Sequence, residues 1–355
     1  MFPPVSVDYV SEARMIPAND SPPARSRFQL IYWAVAVLIA APLLYFSLRG
    51  IQWAQVWSVL SRASLALVGL WIVLGTFSLF LRALRWRVLL RAQAPIGVAT
   101  AFWATVAGYF GNNFLPARAG ELVRSVMIRA HSGLSTTFVL TTALSERLCD
   151  AITLVMISSV ILLVMPTRPG WFDRAARPFA ILGLCGALGI IIAPRLERVW
   201  RSVLGRVPLP KTIHDKFLGI LEQILIGLRT FHETRRLLVF VVFTLVIWFS
   251  DAIGTVIGMH ALGLTISLPV AFLLITGLGL GSALPSTPGY VGIYQFVAVS
   301  VLTPFGLSRA DAIAYTLLAQ ALQYGGIGIL GLLALTRTGA YGEGSRSLWS
   351  RLRHA

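Results

Sequence analysis

Ionisable residues interrupt apolar runs of this chain at two places, and both have the makings of an anion site. Over 112–124, Asn112, Asn113, Pro116, Arg118, Gly120, Glu121 and Arg124 break a long hydrophobic stretch. Over 146–150, Glu146, Arg147 and Asp150 fall in the middle of another. A guanidinium keeps its charge in a low dielectric and offers paired N–H donors to a phosphate. Arg118, Arg124 and Arg147 are therefore the candidate phosphate partners, with Asn112 and Asn113 as neutral donors or as caps for local backbone. Glu146 and Asp150, four apart, share a helix face, and with Glu121 they balance the arginines. Direct pairing of Arg147 with Glu121 and Arg118 with Glu146 would pin the two stretches together, so a purely structural role for the acids stands beside the functional one.

A third interruption carries no charge. Pro285, Ser286, Thr287, Pro288, Gly289, Tyr290 and Gly292 make a sharply turning element whose unpaired N–H groups suit an anion, much as helix N-termini do. Ser286, Thr287 and Tyr290 are its candidate contacts. Pro116, Gly120, Pro285, Pro288 and Gly289 are equally the residues that let the chain turn. Tyr294, Gln295, Gln320 and Gln323 are placed to line the same space. Asp251 suits a helix–helix hydrogen bond better than ligand contact. His131 and His260 lack ligand spacing, Cys149 and Cys185 read as buried apolar thiols, and neither a metal site nor a cofactor is expected.

These polar positions need helices to hold them in an apolar setting. Of 355 residues 56% are hydrophobic and 12% charged, against roughly 25% charged in soluble domains. The chain therefore reads as an all-α polytopic membrane protein. Its net charge of +16 is spread in short blocks between apolar runs, which suits cytoplasmic loops and anionic lipid rather than nucleic acid. Clean spans are expected at 28–48, 64–82, 134–165, 178–194, 237–262 and 311–335, with broken apolar segments at 97–130 and 268–304. The tail 1–27 is polar and does not read as a secretory signal.

Charge placement fixes the expected topology. Arg82, Arg85, Arg87 and Arg91 mark 82–96 as a cytoplasmic loop, and the basic stretch 195–236 reads the same way. Both assignments hold only if 97–130 enters and leaves from the inside, and 268–304 from the outside. The expectation is about six full spans plus two oppositely oriented re-entrant hairpins forming an inverted repeat. Both breaks read L-P-x-x-x-G, at 115–120 and 284–289, and each is followed by Leu-Ser (134–135 and 307–308) and a long span with a polar middle. Paired interruptions of this kind point to a transport site. Within 195–236, apolar residues from Phe217 to Phe231 recur at helical spacing, as in an amphipathic surface helix. The expected domains are a tail at 1–27, a membrane domain at 28–336 and a basic tail at 337–355, both termini cytoplasmic.

The motifs G-Y-F-x-N-N-F-L-P-A-R-A-G-E-x-x-R at 108–124, S-E-R-x-x-D at 145–150 and L-P-x-x-P-G-Y-x-G at 284–292 resemble the lysylphosphatidylglycerol synthase transmembrane family, the flippase-like domain of the multiple peptide resistance factor. The best-known members carry a further aminoacyl-transferase domain, which this chain is not expected to have. The resemblance implies a bacterial inner-membrane flippase or transporter for a phosphate-bearing lipid: a phospholipid, an aminoacyl-phospholipid, or a polyprenyl- or hopanoid-related lipid. No catalytic motif is recognised, so an enzyme is not expected. Two alternatives remain, a membrane-embedded polyprenyl-pyrophosphate phosphatase and a non-transporting membrane partner of a lipid-modifying glycosyltransferase.

Overall fold

The computed structural model describes residues 27–115, 119–165, 233–282 and 288–339, with isolated positions between 178 and 188. The described residues form ten α-helices and no strand: α1 Arg27–Leu48, α2 Trp53–Ser61, α3 Leu65–Leu90, α4 Val98–Phe114, α5 Gly120–Ser132, α6 Thr136–Val164, α7 Thr234–Ala261, α8 Leu268–Gly281, α9 Ile293–Leu302 and α10 Arg309–Gly339. Four of these, α3, α6, α7 and α10, are long and apolar enough to cross a membrane. The α1–α2 pair, bent by 85°, supplies a fifth candidate. Most of the expected span 178–194 and all of the amphipathic stretch 217–231 lie outside the described residues, as do Pro116, Arg118, Pro285, Ser286 and Thr287.

Both broken segments are pairs of helices folded back on each other. In the first, α5 lies so close to α4 that a Cβ on Gly120 would stand 1.8 Å from the Gly108 carbonyl oxygen, and one on Gly111 would stand 2.7 Å from Gly120 Cα. In the second, a Cβ on Gly277 would meet Val297 at 2.8 Å and one on Gly281 would meet Ile293 at 2.9 Å. Small residues let backbones approach this closely where lipid offers no hydrophobic drive.

The Leu-Ser pairs mark helix starts. Ser135 Oγ accepts from Phe138 N at 3.1 Å to open α6. Ser308 and Asp311 cap each other reciprocally at the start of α10, with Ser308 N to Asp311 Oδ2 at 2.9 Å and Asp311 N to Ser308 Oγ at 3.1 Å. The order long helix, hairpin, long helix therefore occurs twice, as α3–α6 and as α7–α10. Packing exchanges between the halves: α4 packs on α10, and α8 on α6. The corresponding helices α3 and α7 run antiparallel side by side, Ser64 N at the start of α3 donating to Ala261 O at the end of α7 (2.7 Å). Trp71 of α3 fills the glycine notch at Gly254 and Gly258 on α7 and stacks on Tyr315 of α10 at 5.4 Å.

Two local expectations change. Helix α3 does not stop at 82: it continues to Leu90, and Arg82, Arg85 and Arg87 are helical rather than looped. Carboxylates on α6 and α7 neutralise Arg82 and Arg85, so the helix can carry them into a buried setting. The second change is at the cysteines: Cys149 is only half-buried and Cys185 is exposed.

Candidate functional site

The polar core is assembled from the tip of the first hairpin outward. At the break, Asn112 Oδ1 accepts from Gly120 N at 3.0 Å, closing the start of α5 onto the end of α4. That places Glu121 in the first turn of α5, where a negative charge suits the helix N-terminus. Its Oε1 accepts from Arg147 Nε at 3.1 Å and from Asn112 Nδ2 at 3.4 Å, and its Oε2 lies 2.5 Å from Arg124 Nε. One carboxylate thus joins two arginines from two helices.

The pairs continue across four helices. Arg124 Nη1 donates to Glu146 Oε2 at 3.1 Å, and its guanidinium lies 4.4 Å over the Trp86 ring. Trp86 is held in turn by Thr142 Oγ1 at 3.1 Å. Arg85 reaches Glu146 Oε1 at 3.1 Å and grips Asp150 with two nitrogens, at 2.5 and 2.9 Å, while also donating to Thr244 Oγ1 at 3.0 Å. Asp150 also accepts from Trp248 Nε1 at 3.1 Å. Arg82, 4.7 Å over the Trp248 ring, ends the chain on Asp251 at 2.5 Å. Four arginines face four carboxylates: Arg82, Arg85, Arg124 and Arg147 against Glu121, Glu146, Asp150 and Asp251. Charges removed from water need this degree of pairing, since an unpaired one costs several kcal/mol.

The sequence-derived residues separate here by accessibility. Arg124, Glu146 and Asp150 are buried, as are Asn112 and Asn113. The Asn113 Nδ2 and Arg124 Nη2 donors have no hydrogen-bond partner among the described residues. Arg147 is different: its side chain is one-third exposed (33%), with Nη1 donating to Tyr109 Oη at 3.2 Å. The expected Arg147–Glu121 pair is present. The partners of Glu146 are Arg85 and Arg124, and Arg118 lies outside the described residues. Asp251 joins helices as expected, through a charged hydrogen bond from Arg82 Nη2.

Arg82 and Arg85 were missed from sequence because their charge was counted toward a loop. The available signal was their spacing: they stand i,i+3 on one helix face, and Trp86, Leu89 and Leu90 continue the apolar pattern beyond them.

The second break makes a smaller, uncharged site. Tyr290 takes φ 59, a left-handed conformation rare outside glycine, and follows Gly289 at φ 78. Gln320 Nε2 donates to Gly289 O at 2.7 Å, and Gln295 bridges Gln320 Oε1 (2.6 Å) and Gly292 N (2.8 Å). Tyr290 stacks on Tyr294 at 5.0 Å. Pro288 opens this turn, whereas Gln323 is exposed. The two breaks approach each other where Phe114 of α4 meets the Tyr324 ring at 5.8 Å, Tyr324 itself lying against Gly289. His131 and His260 each bond a carbonyl of their own helix, and the described residues hold no group of three or more potential metal ligands.

Long apolar helices around a neutralised ionic core define a multi-pass α-helical membrane protein. More narrowly, the chain belongs to the family of the lysylphosphatidylglycerol synthase transmembrane region, which matches residues 33–331. It is 27% identical over 332 residues to "Glycosyltransferase AglD" of Haloferax volcanii, covering 82% of this chain and 52% of that protein. It is also 24% identical over 296 residues to a UPF0104 membrane protein of Pyrococcus horikoshii, covering 75% of this chain and 85% of the relative. The chain thus spans about half the length of the first relative. No solved structure matches it.

Proposed function

We propose that this protein moves a phosphate-bearing lipid between leaflets of the cell membrane, with Arg147 as the headgroup contact. The carrying observation is the partly exposed Arg147, beside the first hairpin break, at the edge of a charge-balanced core whose other arginines are 12% exposed or less. A headgroup that leaves water needs a cation that is already held in place and already desolvated on one side. Arg147 meets that need. Arg118, three residues before Glu121 in the break, is assigned to the same headgroup. Arg124 is assigned to holding Glu121 and Glu146, with its spare donor and that of Asn113 as secondary contacts. Ser286, Thr287 and Tyr290 are assigned to the matching role in the second break.

The exchanged packing of α4 on α10 and α8 on α6, with α3 antiparallel to α7, supports an inverted repeat in which both hairpins re-enter the membrane. Rocking of one repeat against the other would then expose the site alternately. On this reading both termini are cytoplasmic and no cofactor is used.

The test is reconstitution into vesicles carrying fluorescent lipids of several headgroups, comparing wild type with Arg147→Ala and Arg118→Ala. Movement no faster than in empty vesicles, or equal movement by all three proteins, defeats the proposal. A second reading, a membrane partner of a lipid-modifying glycosyltransferase, is favoured by the name of the Haloferax relative. It is supported instead if a glycosyltransferase co-purifies with the chain while no lipid moves.

A further inference from the structure

The ion pairs of the core differ in what opening each would leave behind. Arg85, with 1% of its side chain exposed, is the cation between Glu146 and Asp150, and releasing it would leave the buried Asp150 carboxylate with Arg82 only at 3.8 Å and the neutral Trp248 N–H. Arg124, 3% exposed, lies between Glu121, Glu146 and the Trp86 ring. The Glu121–Arg147 contact is not of this kind. Glu121 touches two cations through separate oxygens, so on losing Arg147 it keeps Arg124 and the Asn112 amide. Arg147 in turn keeps the Tyr109 hydroxyl and its ring face, 5.1 Å away. It is also the most exposed arginine of the core, 33% against 12% for Arg82. Among the described ion pairs, this link lies at the most exposed arginine, and both of its charges keep a partner when it opens.

The geometry points to Glu121 as a built-in competitor: its carboxylate occupies the anion position on Arg147, and an incoming phosphate group must displace it. The inference rests on the reading of Arg147 as the headgroup contact. An anion held this way is recognised but not trapped, because the carboxylate reclaims the guanidinium when the ligand leaves. A carrier needs that balance, since tight binding of its cargo would slow release. Glu121 therefore sets both affinity and release, and phosphate on a lipid and free phosphate share the chemistry.

The test uses the full chain in maltoside micelles, which carry no phosphate, titrated with inorganic phosphate by calorimetry. Glu121→Gln removes the competing charge and keeps the shape. It should bind phosphate at least about tenfold tighter than wild type, and Glu121→Asp, with a shorter reach toward Arg147, about threefold tighter. The gain should vanish in the Glu121→Gln, Arg147→Ala double variant. If Glu121→Gln does not fold, the aspartate variant carries the comparison. Equal affinity in wild type and the folded variants overturns the inference, as does a gain that survives loss of Arg147. Vesicles with fluorescent phosphatidylglycerol separate it from transport. A phosphate gain through Arg147 with no lipid movement by wild type leaves the exchange standing and removes the transport reading. Lipid movement by wild type with no phosphate gain removes the exchange alone.

Discussion

Arg85 Nη1 lies 2.5 Å from Asp150 Oδ1, tying α3 to α6 across 65 residues of sequence. Both groups are buried, so the pair is worth little as a net attraction and much as a matched set. Losing one member leaves the other charged and without water.

Arg85→Met should therefore destabilise the protein by about 3–5 kcal/mol, the range for breaking a buried pair from one side. Asp150→Asn alone leaves Arg85 with Glu146 and should cost less. The double variant should recover part of the loss. Thermal unfolding in detergent, run as a double-mutant cycle, checks this. Additive losses would show that the two side chains do not depend on each other.

The first hairpin makes a sharper steric prediction. Gly120→Ala puts a methyl 1.8 Å from the Gly108 carbonyl, a backbone atom that cannot step aside. The loss should be at least about 3 kcal/mol, at the upper end for overpacking. At the end of α5, Gly133 has φ +71 but open space around it. Gly133→Ala should cost only the left-handed strain, roughly 1–2 kcal/mol. Melting temperatures of the two variants should differ in that order.

Much of this site could be read in the sequence, for identifiable reasons. Glu146 and Asp150 stand four apart, so a helix puts them on one face, and their need for cations followed from the apolar surroundings. The Arg147–Glu121 pair followed from the same reasoning. The Leu-Ser pairs after each break are the starts of α6 and α10 because serine caps a helix by bonding the backbone three residues on. Arg82 and Arg85 were not legible, because an arginine at the edge of an apolar run looks the same whether water or a distant carboxylate receives it. Asp150 and Asp251 lie 68 and 169 residues from Arg82, too far for spacing to connect them. The bend between α1 and α2 was hidden for a related reason. The α2 side that carries Val56 packs on Ala310, Ile313 and Ala314, a contact that only the folded chain supplies.

The second break separates structural from spare polarity. Gln320 makes hydrogen bonds to both the Gly289 carbonyl and the Gln295 amide group. Gln320→Leu leaves those buried groups unsatisfied and should cost about 2–6 kcal/mol, at roughly 1–3 for each. The Tyr324 hydroxyl has no hydrogen-bond partner among the described residues. Tyr324→Phe should change stability by less than about 0.5 kcal/mol or raise it slightly, since no bond is lost. If Tyr324→Phe instead slows lipid movement at unchanged stability, its hydroxyl serves the ligand.

Topology can be checked with four single cysteines in a background lacking Cys149 and Cys185. Burying Arg82 and Arg85 in α3 removes two charges from the segment expected to be cytoplasmic, but Arg87 and Arg91 remain near that end. If α1 crosses outward by itself, with α2 beyond the bend on the outer side, Gln52 lies outside and Gln93 inside, with α3 returning between them. A first hairpin that enters and leaves from the inside sends α6 outward, so Arg168 lies outside and the basic stretch with Lys211 inside. Impermeant maleimide applied to intact cells should thus label cysteines at 52 and 168 and spare those at 93 and 211. If 97–130 crossed the membrane once, 168 and 211 would exchange sides relative to 52 and 93. Labelling of 52 and 211 together would therefore refute the re-entrant hairpin, even with every helix boundary intact.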